Sequence, residues 1–135
     1  MKMLLEVVVV PVSDVDRAKA FYADALGFAV DHDTTVGEGA RIVQLTPPGS
    51  GCSIVIGTGV VPVMPPGSLK GLQLVVPDVR AARDQLAAAG VEISEVQVLG
   101  QSPTPTPDPL DNVGFAFFED PDGNAWAVQQ ISSRG

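Results

Sequence analysis

The amino-acid sequence predicts an α+β fold made of two tandem copies of one strand–helix–three-strand unit. Two observations lead there. A helix signal, with a capping residue ahead of it and a glycine behind it, occurs twice, and short β-branched runs bounded by turn residues fill the rest. The two helical stretches also align with each other. Setting PVSDVDRAKAFYADALG (11–27) beside VPDVRAARDQLAAAG (76–90) matches Asp14-Val15 with Asp78-Val79, Ala18 with Ala82, Tyr22 with Leu86 and Ala25 with Ala89. That is an internal duplication.

The first copy opens with MLLEVVVVPV (3–12), a β-branched run predicted to be a strand buried on both faces. Ser13 is positioned to cap a helix, with Asp16 three residues on completing a capping-box-like pair near the positive end of the helix dipole. Val15, Ala18, Phe21, Tyr22, Ala25 and Leu26 form one apolar stripe, and Gly27 ends it. FAVDHDTTV, ARIVQLT and CSIVIGTG follow as strands, separated by Gly-Glu-Gly at 37–39 and PPGSG at 47–51. The proline-rich stretch 59–70 reads as a linker. In the second copy GLQLVVP (71–77) is the first strand, Asp78 caps the helix, and Gly90 stops it. VEISEVQVL, NVGFAFFE and AWAVQQI supply three more strands. Residues 100–111 hold four prolines, too stiff and donor-poor for a sheet, and read either as a lid over a ligand or as a plain surface excursion.

A chain of 135 residues with 45% apolar content is one domain with one core. Its modules run from about 1 to 58 and about 71 to 131. A net charge of −8 argues against nucleic acid or an anionic membrane surface as partner and favours a neutral or cationic small molecule. No apolar run approaches the roughly 20 residues that span a bilayer, and the first residues lack the features of a cleaved leader. With one cysteine, Cys52, no intramolecular disulfide can form, which suits a reducing compartment and the expectation of a cytoplasmic protein.

VVVVPVSDVDRAKAFYADALGF resembles the opening of vicinal oxygen chelate proteins, the superfamily of glyoxalase I, bleomycin resistance proteins and extradiol dioxygenases. FFEDPDGNAWAVQQ resembles their closing hairpin, and the resemblance covers essentially the whole chain. It implies paired βαβββ modules forming a cup-shaped mixed sheet, and a homodimer. The superfamily's enzymes hold a divalent metal with His and Glu side chains, two from each module. Carried over, those positions fall on Val7, Val55, Gly71 and Ala127, none of which has a side-chain donor atom. Shifting the register by one residue offers only Glu6. With His32 the sole histidine, a two-histidine site within one chain is impossible. No metal and no cofactor is therefore expected.

Strand alternation then places Val7, Val9, Ser53 and Val55 along one side of the first module. Gly71, Gln73 and Val75 face Ala125, Ala127 and Gln129 in the second. Such a lining, apolar with two amides and a hydroxyl, describes a pocket for an organic molecule. Gln73 and Gln129 could orient a polar group or simply tie strands together. Trp126 should lie on the opposite face. Glu6, His32 (flanked by Asp31 and Asp33) and Glu119 are the acid–base candidates if the chain is an enzyme. Arg41 reads as a surface ion pair or as an anion contact, and Asp120 and Asp122 as turn residues. The expected function is metal-independent binding of an apolar or cationic compound. A lyase, isomerase or oxygenase working without the usual metal site is the alternative, and a structural or regulatory role a third.

Overall fold

A computed structural model describes residues 1–134. The element order is β1 (Val7–Val9), α1 (Val15–Ala20), β2 (Ala29–Thr35), β3 (Arg41–Thr46), β4 (Ser53–Thr58), β5 (Leu72–Val76), α2 (Val79–Ala88), β6 (Gln97–Val98), β7 (Gly114–Glu119) and β8 (Ala125–Gln130). This is the predicted duplication. The chain divides into two compact units: Met1–Leu69 with the turn Asp120–Asn124, and Lys70–Glu119 with the segment from Ala125 onward.

In the first unit the strand order is β1-β4-β3-β2, with β1 parallel to β4 and the other pairs antiparallel. The opening strand is shorter than its sequence suggests: only Val7–Val9 pair in register with β4, flanked by bonds from Ser53 N to Glu6 O and from Val10 N to Val55 O, and Pro11 lacks the N–H to continue. Being an edge strand, β1 is half-buried rather than covered on both faces, and Met3, Leu4 and Leu5 before it are exposed. The helix cap also differs from expectation. Asp14, not Ser13, accepts the N–H of Arg17, at 3.0 Å. Ser13 is instead committed to Asp122, donating its hydroxyl at 2.5 Å and its backbone N–H at 3.1 Å. Beyond Ala20 the helix widens into a π-helical turn, Phe21–Ala25, before Gly27 leaves it at φ +76°.

Val15, Ala18 and Tyr22 are buried, and α1 packs on β4, so Val43, Leu45, Ile54 and Ile56 form the core face. Arg41 clips the helix to the sheet edge. Its guanidinium donates to both oxygens of Asp33 at 3.0 and 2.9 Å and to Asp16 at 2.7 Å, while Lys19 donates to Asp33 at 2.7 Å. Hydrogen bonds from Arg41, then Lys19, hold the Asp33 carboxyl well below the usual carboxylate range. Arg41 is thus an ion-pair residue.

The turn 120–124 carries more than turn chemistry. One Asp120 oxygen accepts the N–H groups of Asp122 and Asn124, both at 2.9 Å, and the other accepts the Tyr22 hydroxyl and the Asn124 amide, both at 2.7 Å. Asn124, fully buried, also donates to Pro11 O at 2.8 Å and accepts from Leu69 N at 3.1 Å. A Cβ on Gly67 would lie 2.0 Å from Asp122 O, so only glycine fits where these backbones meet.

In the second unit the order is β5-β8-β7-β6, with β5 parallel to β8. Asp78 caps α2 as predicted, accepting from Ala81 N at 3.0 Å. Most of the run 91–99 is not a strand: only Gln97 and Val98 pair with β7, with one further bridge from Ile93 to Phe118. Trp126 lies on the helix-side face, stacked on Phe118 at 6.0 Å and buried, as alternation predicts. The proline-rich segment is anchored at its end. Gln130, 1% exposed, donates to Asp108 and Asp111 at 2.9 and 3.0 Å and accepts Val79 N at 3.0 Å. Ser132 first and Gln130 second depress the Asp111 carboxyl; the Leu110 N–H and then Gln130 depress that of Asp108.

Two outcomes follow from these contacts. Asn124→Ala leaves the Pro11 carbonyl, the Leu69 N–H and one Asp120 oxygen short of partners, and is expected to cost about 2–4 kcal/mol in urea unfolding, more than Tyr22→Phe at about 1–2. Because the folded-state pKa of Asp33 is depressed, its contribution to stability is present above the ordinary carboxylate value and lost as the pH falls below about 4. Urea midpoints measured against pH should fall on that limb for the wild type and fall less for Asp33→Asn.

Candidate functional site

In each unit a helix packs on one face of the sheet and leaves the other without a helix. Register defines the open faces. In the first sheet Val7 pairs with Ser53 and Val9 with Val55, Val55 with Gln44, and Gln44 with His32, so these side chains share the face turned away from Ile54, Ile56 and Leu45. The four residues expected to line a pocket here are together. Val7 and Val9 are half-buried, and Ser53 and Val55 are buried.

A β-bulge between Val30 and His32 adds one unpaired residue to β2, Asp31, so that its carboxylate and that of Asp33 no longer share a face. The Thr46 hydroxyl donates to the Asp31 carboxylate. Thr46 Oγ1 also lies 2.6 Å from Ser53 Oγ. Since the single Thr46 proton is spent on Asp31, Ser53 is the donor to Thr46. His32 is on this face, but neither flanking carboxylate bonds it: Asp33 is held by Arg41 and Lys19, and Asp31 by Thr46. Glu6 precedes β1, exposed, at the opposite edge of the sheet from β2. The first unit therefore brings no acid–base pair together out of Glu6 and His32.

In the second sheet Gln73 pairs with Ala127 and Val75 with Gln129, while Phe115 and Phe117 oppose Gln129 and Ala127 from the other side. Their rings are parallel, 6.1 Å apart, and Phe117 is 37% exposed. These two aromatic walls were missed in the sequence, where GFAFFE shows the alternation but not its register against AWAVQQ. Glu119 ends the same strand, exposed and 3.7 Å from Lys70.

The amides are ordered in one direction. Gln129 donates to the carbonyl of Asn112 at 2.7 Å, which fixes its amide orientation, and its oxygen accepts from Gln73 at 2.5 Å. Gln73 therefore turns its own oxygen outward as an acceptor. Both amides tie structure together, and they point the remaining polarity one way. Asn112 holds its carbonyl there from a left-handed backbone conformation, φ +70°.

Val7, Val55 and Ala127 stand on these faces as hydrocarbon side chains, and Gly71 precedes β5 at φ +88°. The donor set that a divalent ion needs does not fit here. Among the described residues no three His, Cys, Asp or Glu side chains are grouped so that they could hold a metal ion. No helix among them is long and apolar enough to cross a membrane.

Residues 4–128 match the family model described as the glyoxalase/bleomycin resistance protein/dioxygenase superfamily. The chain belongs to that superfamily. Among solved structures of the superfamily fold, it is similar to TnmS3, an antibiotic binding protein from Streptomyces sp. CB03234, at 36% identity over 97% of this chain and 98% of that one, with a TM-score of 0.74. A glyoxalase/bleomycin resistance protein from the same Streptomyces is also 36% identical, over 94% of this chain and all of that one, TM-score 0.70. A superfamily member from Sphaerobacter thermophilus DSM 20745 is 25% identical over 96% and 98% of the two chains, TM-score 0.76. A search of curated proteins gives no match.

Asn112 offers a direct check on the amide chain. Asn112→Ala must place a Cβ-bearing residue without a polar side chain at positive φ and should lose about 1–2 kcal/mol in chemical denaturation, whereas Asn112→Gly should lose less because only the bond to Ser102 goes.

Proposed function

We propose that this protein is a metal-independent binder of an apolar or cationic organic compound, working as a cytoplasmic homodimer and holding its ligand against an open sheet face without changing it chemically. The observation that carries the reading is the filling of the superfamily's metal positions by Val7, Val55, Gly71 and Ala127. Superfamily enzymes draw their Lewis acid from those positions, and hydrocarbon there suits sequestration rather than turnover. Similarity to an antibiotic binding protein over 97% of the chain supports a compound of that general kind. The sheet faces support it too: in the first unit Val7, Val9 and Val55 offer apolar contact and Ser53 a polar one, in the second Gln73 and Gln129 offer amides, and the charge of −8 favours a neutral or positive guest. Exposed Met3, Leu4 and Leu5 beside the edge strand β1 support burial against a second copy.

Calorimetric titration with a panel of apolar and organic-cation compounds tests this. At least one should bind with a Kd on the order of micromolar, unaffected by chelator, and be recovered unchanged by mass spectrometry. Phe117→Ala should weaken that binding about tenfold. Failure of the whole panel, or conversion of the bound compound, would overturn the proposal.

A further inference from the structure

We propose that the Asp31 carboxylate is a cation subsite on the open face of the first sheet, taking the ammonium or guanidinium group of an organic ligand. The inference rests on the reading of that face as a binding surface and names the charge it selects.

Three carboxylates lie in strands: Asp31, Asp33 and Glu119. Two have cationic partners. Asp33 is gripped by Arg41 and Lys19 on the helix side, and Glu119 lies near Lys70. Asp31 has no basic partner among the described residues; its contact is the neutral Thr46 hydroxyl. That leaves a full negative charge and unused lone pairs on the face that carries Ser53 and Gln44.

The local structure places it there. Ala29 pairs with Thr46, so alternation puts Asp31 on the Thr46 face; the bulge then keeps His32 on that face and returns Asp33 to the helix side, which parts the two carboxylates. The hydroxyl chain has a direction as well. Ser53 donates to Thr46 and Thr46 to Asp31, so every proton in the chain points toward the carboxylate. Such a chain steadies an anion and offers nothing to a second anion, while a cation meets an oriented acceptor on the face that carries apolar Val55 two strands away and, beyond it toward the opposite edge, Val7 and Val9. An organic cation, with charge at one end and hydrocarbon at the other, matches both parts.

The test is a heteronuclear NMR titration at low, constant ionic strength with benzylammonium chloride, benzyl alcohol and sodium benzoate, on the wild type, Asp31→Asn and Asp24→Asn. Benzylammonium should give saturable shifts centred on residues 31–34, 44–46 and 53–55. Its affinity should exceed that of benzyl alcohol by about fivefold, and benzoate should not bind. Asp31→Asn should erase the preference; Asp24→Asn, on the exposed side of the helical segment, should leave it intact. Shifts that follow every surface carboxylate without saturating, equal affinity for the alcohol, no binding of benzylammonium, or a preference that survives Asp31→Asn would each overturn the subsite. The comparison of amine with alcohol needs no variant, so it stands even if Asp31→Asn folds poorly. If uncharged compounds still bind by calorimetry while benzylammonium shows no preference, the subsite alone falls; if nothing binds, the proposed function falls with it.

Discussion

Side chains alternate across a β-strand, and in each unit one of the two resulting faces is committed to a helix. Everything else about the candidate site depends on this commitment. Ile54, Ile56, Val43 and Leu45 go to the helix side of the first sheet, and Trp126, Val128 and Gln130 are buried in the second. Their neighbours by one residue are then obliged to face the other way, whatever their chemistry. The open faces inherit Val7, Val55, Ala127 and Gln129 as a consequence of packing on the opposite side. A single slip in register would exchange the two sets and carry Gln73 and Gln129 to the helix side.

The same division explains why the polar chemistry of the molecule falls into two kinds. Structural polar groups saturate one another: Asp120 with Tyr22 and Asn124, Gln130 with Asp108 and Asp111, Asp33 with Arg41 and Lys19. Each satisfies a donor or acceptor of its own fold or fastens an element. On the open faces the pattern is different. Asp31 ends one chain by accepting from Thr46 and Gln73 begins the other by donating to Gln129, and the binding reading proposed for these faces rests on the acceptors that remain. Acid–base catalysis needs groups that exchange protons, and Glu6, His32 and Glu119 do not form a pair that could do so within either unit.

Much of this was legible in the amino-acid sequence. The duplication showed through Asp14-Val15 and Asp78-Val79, and the absence of donors at positions 7, 55, 71 and 127 needed only residue identity. What failed to show was whatever depends on partners distant in sequence. MLLEVVVV reads as a long strand, yet pairing with β4 covers only Val7–Val9. VEISEVQVL has strand composition and mostly lacks a partner. Ser13 looked like a cap because Asp122, over a hundred residues away, cannot be seen beside it. The bulge that parts Asp31 from Asp33 is a local insertion with no glycine or proline to announce it, so both carboxylates read alike as flanks of His32. The stacked Phe115 and Phe117 were visible as residues, but not as walls facing Ala127.

The central proposal is that Val7, Val55, Gly71 and Ala127 hold no divalent metal ion. Equilibrium dialysis of the purified protein against zinc, nickel, iron(II) and manganese, followed by elemental analysis, tests it most directly. The account predicts retention of each metal well below one ion per chain, with no change on adding chelator to the ligand-bound protein. One tightly held ion per chain, coordinated by the protein's own side chains, would contradict it.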